Sequence, residues 1–158
     1  LKAILLTHGH FDHIGAVSGL KKKFQVPVYA MGAEAVVMED STLNLSANWA
    51  SAFTVKCDHE LADEEKFQVA GFDIVAYHTP GHTKGGACYY IEEEQVLFSG
   101  DTIFCHSVGR TDLPTGSMGE LRRSVQRMLQ ILPDATRVMP GHECDTSIAD
   151  EKRYNPYS

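Results

Sequence analysis

The strongest constraint on this 158-residue chain is a stretch near its start, residues 7–15, which reads THGHFDHIG. Three imidazoles and one carboxylate lie close together there, directly after an apolar run. Because side chains alternate along an extended chain, we expect His8, His10 and Asp12 to point to one side. His13 breaks that alternation, and a helix is predicted to begin there. Nitrogen and oxygen ligands of this kind suit zinc, iron or manganese rather than calcium, so the stretch predicts a metal site.

Three further segments carry ligand-type residues, and each follows a predicted strand. They read TPGHT at 79–83, FSGDT at 98–102 and MPGHE at 139–143. A glycine directly before each His or Asp lets the backbone turn sharply, so that the ligand projects at the strand end. These segments therefore predict that His82, Asp101 and His142 join the first motif.

The combined set is too large for one tetrahedral catalytic metal, which takes three protein ligands and a water. Two metal ions roughly 3.5 Å apart that share a bridging carboxylate would use the whole set. The candidate ligands are His8, His10, Asp12, His13, His82, Asp101 and His142.

Apolar periodicity predicts strands interleaved with helices between these motifs. Strands are predicted at 1–7, 26–31, 67–69, 72–77, 87–91, 95–99 and 137–139, and helices at 13–24, 32–38, 118–132 and 148–153. This order predicts an α/β sandwich that forms a single domain over residues 1–158. The polar segment 39–56 is predicted as a long loop that either covers the site or plugs the core with Trp49 and Phe53.

The composition excludes some classes of binding partner. A formal net charge of −7 argues against a nucleic-acid partner, since proteins that bind phosphate backbones usually present a basic face. No apolar run approaches the length of a bilayer span, so we expect no membrane partner. The four cysteines are far apart in sequence and are expected to be free, buried thiols with packing roles, which makes a cytoplasmic location the default. They are Cys57, Cys88, Cys105 and Cys144.

With these motifs, nearly the whole chain resembles the metallo-β-lactamase-fold hydrolases, whose mark is THxHxDH. Within them it is most similar to the one-domain branch of the glyoxalase II (hydroxyacylglutathione hydrolase) group, through GRTD at 109–112 and EKRYNP at 151–156. The resemblance implies an αββα sandwich in which a strand pair precedes the first motif. The chain starts at Leu1 inside a predicted strand, so we expect those N-terminal strands to lie in a segment before Leu1.

The resemblance also implies how the ligands divide between the two metals. One metal is held by three histidines, the other by an aspartate and two histidines, and a second aspartate bridges them. The first set is His8, His10 and His82, the second is Asp12, His13 and His142, and the bridge is Asp101.

The activity implied is hydrolysis of a small-molecule thioester such as S-D-lactoylglutathione by a hydroxide that bridges two divalent ions. Zinc is the expected metal, with iron or manganese as alternatives, and Asp12 is the catalytic residue that orients the water. Arg110 falls where these enzymes carry a basic residue that grips a glutathione carboxylate, which suits its fork of donors. An ion pair between Arg110 and Asp112 or Glu120 is the competing interpretation.

The main alternative is an oxidoreductase. Persulfide dioxygenases resemble the chain through the same GRTD segment and use one iron, held by two histidines and an aspartate that are also present here. By the same resemblance, a β-lactamase is disfavoured because that class lacks the aspartate found here at position 101.

Overall fold

Two β-sheets stacked face to face form the centre of the fold in a computed structural model that describes residues 1–49 and 51–158. The first sheet has three parallel strands in the order β1-β2-β3. Side chains of the middle strand alternate between two apolar clusters, with Val28 and Ala30 in one and Tyr29 and Met31 in the other. The strands are β1 (Ile4–Leu5), β2 (Val28–Met31) and β3 (His59–Leu61).

The second sheet has six strands in the order β11-β10-β7-β6-β5-β4. Its strands are β4 (Glu65–Val69), β5 (Phe72–His78), β6 (Ala87–Ile91), β7 (Val96–Gly100), β10 (Arg137–Pro140) and β11 (Thr146–Ser147). Strand β6 is antiparallel to both β5 and β7, and β10 pairs with β7 in parallel. The strands β5, β7 and β10 therefore run in the same direction, and their carboxyl ends lie at one edge of the sheet.

Helices cover the outer face of each sheet. On the first sheet they are α1 (Phe11–Ile14), α2 (Val17–Phe24), a 3-10 turn (Gly32–Glu34), α3 (Ala35–Met38) and α4 (Ser46–Trp49). On the second sheet they are α5 (Met118–Ile131) and α6 (Ile148–Tyr154), and a small hairpin is formed by β8 (Ile103–Phe104) and β9 (Ser107–Val108). Helix α5 begins where the Ser117 side chain accepts a hydrogen bond from the Glu120 amide.

Three apolar clusters hold these layers together. One joins the first helices to the first sheet and includes Ile14 and Val17, and a second lies between the sheets around Met31 and Ile74. The third packs α5, through residues such as Leu121, against the second sheet. The order helix, sheet, sheet, helix confirms the predicted αββα sandwich. None of the helices in the described part of the chain has the length and apolar character needed to cross a membrane.

Two local predictions are wrong. The helix predicted at 13–24 is two helices, and the first begins at Phe11, so Asp12 does not continue the extended alternation of His8 and His10. The amides of His13 and Ile14 both donate to the His10 carbonyl, at 2.9 and 3.1 Å, which starts the turn early. The expectation that all four cysteines are buried also fails, because Cys144 is exposed, although all four are free.

Candidate metal centre

Four chain segments that each leave the end of a strand meet at one edge of the sandwich. They follow β1, β5, β7 and β10, and they carry the seven predicted ligands. Since three of these strands are parallel in one sheet, their ends are brought together by the sheet itself. The site therefore lies where residues far apart in sequence converge.

Three buried histidines form the first group of side chains. Atoms of His8, His10 and His82 that could hold one ion all lie within 4.8 Å of one another. The Nδ1 of His10 is 3.0 Å from the Nε2 of His82. The Nδ1 of His82 donates to the backbone carbonyl of Arg110 at 2.7 Å, and the carbonyl can only accept. The lone pair of His82 therefore lies on Nε2, facing His10.

Asp12, His13 and His142 form a second, more exposed group. The Nε2 atoms of the two histidines are 3.3 Å apart. The Oδ2 of Asp12 lies 3.3 Å from the His142 Nε2 and 3.7 Å from the His13 Nε2. Because α1 begins at Phe11, Asp12 and His13 share one helical turn and face His142 together.

Asp101 lies between the two groups. Its Oδ1 is 3.4 Å from the His13 Nε2, and its Oδ2 is 3.4 Å from the His82 Nε2 and 3.6 Å from the His142 Nε2. A single carboxylate thus contacts histidines of both groups. The structure brings all seven predicted side chains into one constellation.

The chemistry of this constellation fits a pair of cations. His8 Nε2, His10 Nε2 and Asp101 Oδ1 are buried without a hydrogen-bond partner, which normally costs about 1–3 kcal/mol for each group. Burial, together with neighbouring imidazoles, lowers the pKa of His8 well below its ordinary value and that of His10 to about 4. The imidazoles are therefore neutral at pH 7 and keep lone pairs for a cation.

The acidic residue Glu34, which sequence reasoning missed, joins two of the ligand-bearing segments. Its Oε1 accepts a hydrogen bond from the Gly9 amide at 2.7 Å, between His8 and His10. Its Oε2 accepts from the Thr83 hydroxyl at 3.0 Å and from the Gly85 amide at 2.7 Å. Glu34 is only 1% exposed, and this burial raises its pKa to about 7. No sequence pattern distinguishes such a residue from a solvated glutamate in a short helix.

The glycines before the ligands are required for two different physical reasons. Gly81 has a φ of +133°, and a Cβ there would also meet the backbone of Leu121 in α5. A Cβ at Gly141 would meet the Asp101 carboxylate and the His13 ring. Gly141 is therefore needed because it leaves room for the ligands themselves. The sequence had indicated only that the glycine allows a turn.

A cavity of about 460 Å³ opens over the constellation, and Asp12, Asp101 and His142 contribute to its wall. Much of the wall is apolar, from Phe11, Leu45, Trp49, Phe104, Val108 and Leu113. Trp49 is 74% exposed, whereas Phe53 packs against the cluster around Ile14. Segment 39–56 therefore does both things that were predicted for it as alternatives. It covers the site with Trp49 and fills the core with Phe53.

Arg110 lies at the cavity and is also paired. Its Nε donates to Asp112 Oδ1 at 2.6 Å and its Nη2 to Asp112 Oδ2 at 2.8 Å. Both groups are exposed. The predicted ion pair with Asp112 is thus present, and Arg110 still lines the cavity.

The other three histidines lie outside the constellation. The Nε2 of His78 is 3.0 Å from the Lys84 carbonyl, His59 stacks on Tyr29, and His106 is exposed in the turn between β8 and β9.

We expect His10 to destabilise the metal-free protein as the pH falls from 6.5 toward 4, whereas Glu34, with its raised pKa, acts in the opposite direction. The pKa of His10 drops from 6.5 to about 4 on folding, mainly because burial disfavours the imidazolium. The unfolded chain then binds a proton that the folded chain excludes. This contribution is complete above pH 6.5 and is lost as the pH falls through 4. The free energy of unfolding should decrease by on the order of 3 kcal/mol from His10 alone.

Equilibrium denaturation in the presence of a chelator, repeated across this pH range, measures the effect. The pH dependence should be shallower in His10→Gln. The same pH dependence in the parent protein and in His10→Gln would contradict the assignment of a buried, neutral imidazole.

Comparison with known sequences agrees with this geometry. The family model of the metallo-beta-lactamase superfamily matches residues 1–142. The probable metallo-hydrolase YqgX of Bacillus subtilis is 36% identical over 157 residues, which cover 98% of this chain and 74% of the relative. The hydroxyacylglutathione hydrolase GloC of Haemophilus influenzae is 34% identical over 163 residues, covering 99% of this chain and 76% of the relative.

Solved structures show the same fold. The structure of BLEG-1, named a B3 metallo-beta-lactamase, aligns with a TM-score of 0.92 at 42% identity and covers 99% of this chain and 76% of its own. TTHA1623 in a di-iron-bound form aligns with a TM-score of 0.85 at 37% identity, and the alignment covers 99% of this chain and 77% of TTHA1623. ETHE1 from Myxococcus xanthus aligns with a TM-score of 0.79 at 29% identity, and the alignment covers 99% of this chain and 62% of ETHE1. From its fold, its constellation of histidines and aspartates and its match to the family model, this chain belongs to the metallo-beta-lactamase superfamily.

Proposed function

We propose that this chain is a binuclear metallohydrolase that cleaves thioesters, similar in activity to glyoxalase II. The observation that carries the proposal is the position of Asp101, whose carboxylate contacts His82 of the first group and both His13 and His142 of the second. The likeness to GloC, a hydroxyacylglutathione hydrolase, supports the same substrate class.

The ligands in this proposal are His8, His10 and His82 for one metal and Asp12, His13 and His142 for the other, with Asp101 between them. Divalent cations at such a site supply Lewis acidity that polarises a carbonyl oxygen and lowers the pKa of water toward neutrality. Zinc, iron and manganese all suit this donor set, and the di-iron form of TTHA1623 supports iron as a candidate metal.

The protein's own side chains orient the reactants. The carboxylate of Asp12 borders the cavity and accepts a hydrogen bond from the attacking water, which fixes its direction of approach. The Arg110 carbonyl holds the ring of His82 in one tautomer. The apolar side chains Phe104 and Val108 line the same cavity and restrict bulk water there. A thiol has a pKa near 8.5, so the thiolate leaves without a strong general acid, and no serine or cysteine nucleophile is needed.

A second candidate function is that of a mononuclear iron persulfide dioxygenase. The likeness to ETHE1 from Myxococcus xanthus favours it. That chemistry needs only two histidines and one aspartate, and it leaves the second group without a role. Asp12, His13 and His142 are therefore the residues that distinguish the two proposals.

The test combines metal content with two assays on protein purified without added metal. We expect two metal ions per chain and hydrolysis of S-D-lactoylglutathione that falls about 10³-fold or more in His82→Ala. The exposed His59→Ala is the matched control and should retain the parent rate. One iron per chain with oxygen uptake on a persulfide would favour the dioxygenase. Equal hydrolysis rates in the parent and His82→Ala would refute the thioesterase proposal. A separate assay with a chromogenic β-lactam tests for β-lactamase activity, which is the activity named for BLEG-1.

The ion pair between Arg110 and Asp112 leads to a prediction about how tightly a substrate with a carboxylate binds. Asp112 occupies two donors of the guanidinium, so it competes with any substrate carboxylate for Arg110. We expect Arg110→Met to raise KM for S-D-lactoylglutathione about tenfold with little change in kcat, since the effect is on binding. Asp112→Asn should lower KM. The backbone carbonyl that holds His82 is retained in both variants. Identical KM values in all three proteins would show that Arg110 does not contact the substrate.

A further inference from the structure

The buried side chain of Glu151 in α6 fastens together two segments that flank the metal centre. Its two carboxylate oxygens accept hydrogen bonds from the amide of His106, at 3.0 and 3.1 Å, in the turn of the β8–β9 hairpin. The same carboxylate accepts from the Thr146 hydroxyl at 2.7 Å, at the start of β11. Glu151 is fully buried, so this junction is rigid.

Each of these segments carries a cysteine directly beside its contact with Glu151. Cys105 precedes His106 in the hairpin turn, and Cys144 lies two residues before Thr146. The His106 amide and the Thr146 hydroxyl meet on the same Glu151 oxygen, at 3.0 and 2.7 Å, which brings the two cysteine-bearing segments together. The nearby Cys144 side chain also raises the pKa of the Cys105 thiol. Cys105 is partly exposed and Cys144 is exposed, so small reagents reach the pair from solvent.

The contacts of Glu151 argue against a metal site at this place. Cys105, His106 and Glu151 offer ligand atoms within 4.8 Å of one another. The Glu151 carboxylate, however, already accepts bonds from His106, Thr146 and the Asn155 amide, the last at 2.7 Å. A carboxylate with these donors has little capacity left for a cation, so the chemistry that remains is that of two neighbouring thiols.

We propose that Cys105 and Cys144 form a reversible disulfide with a low-molecular-weight disulfide as the oxidant. The exposed Cys144 sulfur, as thiolate, attacks one sulfur of oxidised glutathione, so that a mixed disulfide forms and one glutathione thiolate leaves. The Cys105 thiolate then attacks the Cys144 sulfur and releases the second glutathione. The protein loses two hydrogens, and one oxidised glutathione becomes two reduced molecules.

The disulfide would tie the segment that carries His142 to the β8–β9 hairpin. His142 lies two residues before Cys144, and the intervening Glu143 has a φ of +69°, which is uncommon for a residue with a side chain. A covalent link across the Glu151 junction removes freedom from the unfolded chain and from this segment. The redox state of the pair would thereby set the mobility of one predicted ligand.

The test is performed on the full chain after treatment with oxidised glutathione. Alkylation of the remaining thiols, proteolysis and mass spectrometry should identify one linked peptide pair containing Cys105 and Cys144, with Cys57 and Cys88 alkylated. We expect a rise in Tm of roughly 5–10 °C and slower hydrogen exchange over residues 141–147, both reversed by dithiothreitol. None of these measurements depends on hydrolase activity.

Two variants make the result decisive. Cys105→Ser should stop at the mixed disulfide, with one glutathione on Cys144 and no rise in Tm. Cys57→Ser, which removes a half-buried thiol elsewhere, should oxidise as the parent does. Recovery of four alkylated cysteines, or of glutathione on Cys144 in the parent protein without the linked peptide, would overturn the proposal.

Discussion

Asp101→Asn is expected to reduce thioester hydrolysis about 10³-fold or more and to lower the metal content from two ions per chain to one or fewer. The carboxylate lies between the two ligand groups and contacts both, through His13 on one oxygen and His82 and His142 on the other. The asparagine side chain has the same shape but keeps only one, weaker acceptor. Its NH₂ group would face one of the two ligand groups in place of a carboxylate oxygen. Metal analysis and steady-state kinetics on the same preparation measure both effects.

The matched control is Asp134→Asn, which removes an exposed carboxylate that pairs with Lys152 and is not part of the constellation. This variant should keep its metal and its rate. If Asp101→Asn retained two metal ions and most of the activity, the binuclear proposal would be untenable.

Glu34→Gln is expected to lower the free energy of unfolding by about 3 kcal/mol and to weaken metal binding by about 10- to 100-fold. The two oxygens of Glu34 accept from backbone amides on opposite sides, Gly9 on one and Gly85 on the other. A glutamine has one oxygen, so in either orientation its NH₂ group faces an N–H donor. The variant therefore leaves a buried donor unpaired and loosens both segments.

Chemical denaturation of the metal-free protein isolates the structural part of this effect, and titration with metal measures the rest. Glu65→Gln is the matched control, because its carboxylate also accepts from a backbone amide, that of Ala62 at 2.8 Å, but at the surface. It should change stability by less than about 1 kcal/mol. Equal stabilities of the two variants would show that the Glu34 junction contributes nothing.

The secondary structure predicted from periodicity agrees well where a segment is long and strongly patterned. The strand at 87–91 is found with those bounds, and the helix predicted at 118–132 ends one residue earlier. The short helix α4 and the strands β3, β8, β9 and β11 were not predicted. They have two to four residues each, too few to show a period, and contacts with neighbouring segments decide their conformation.

The sequence by itself predicted the seven candidate ligands, because histidines and aspartates beside glycines at strand ends are informative without knowledge of their neighbours. The alternation of strands and helices also indicated an α/β sandwich, and the resemblance to the family implied its αββα order. Only the tertiary structure decided that the seven side chains converge, that Asp101 lies between the groups, and that Arg110 is paired with Asp112. It alone revealed the junctions at Glu34 and at Glu151, the second of which brings the segments of Cys105 and Cys144 together. The reason is physical: these features depend on distances between residues remote in the chain, which only the packing of the layers establishes.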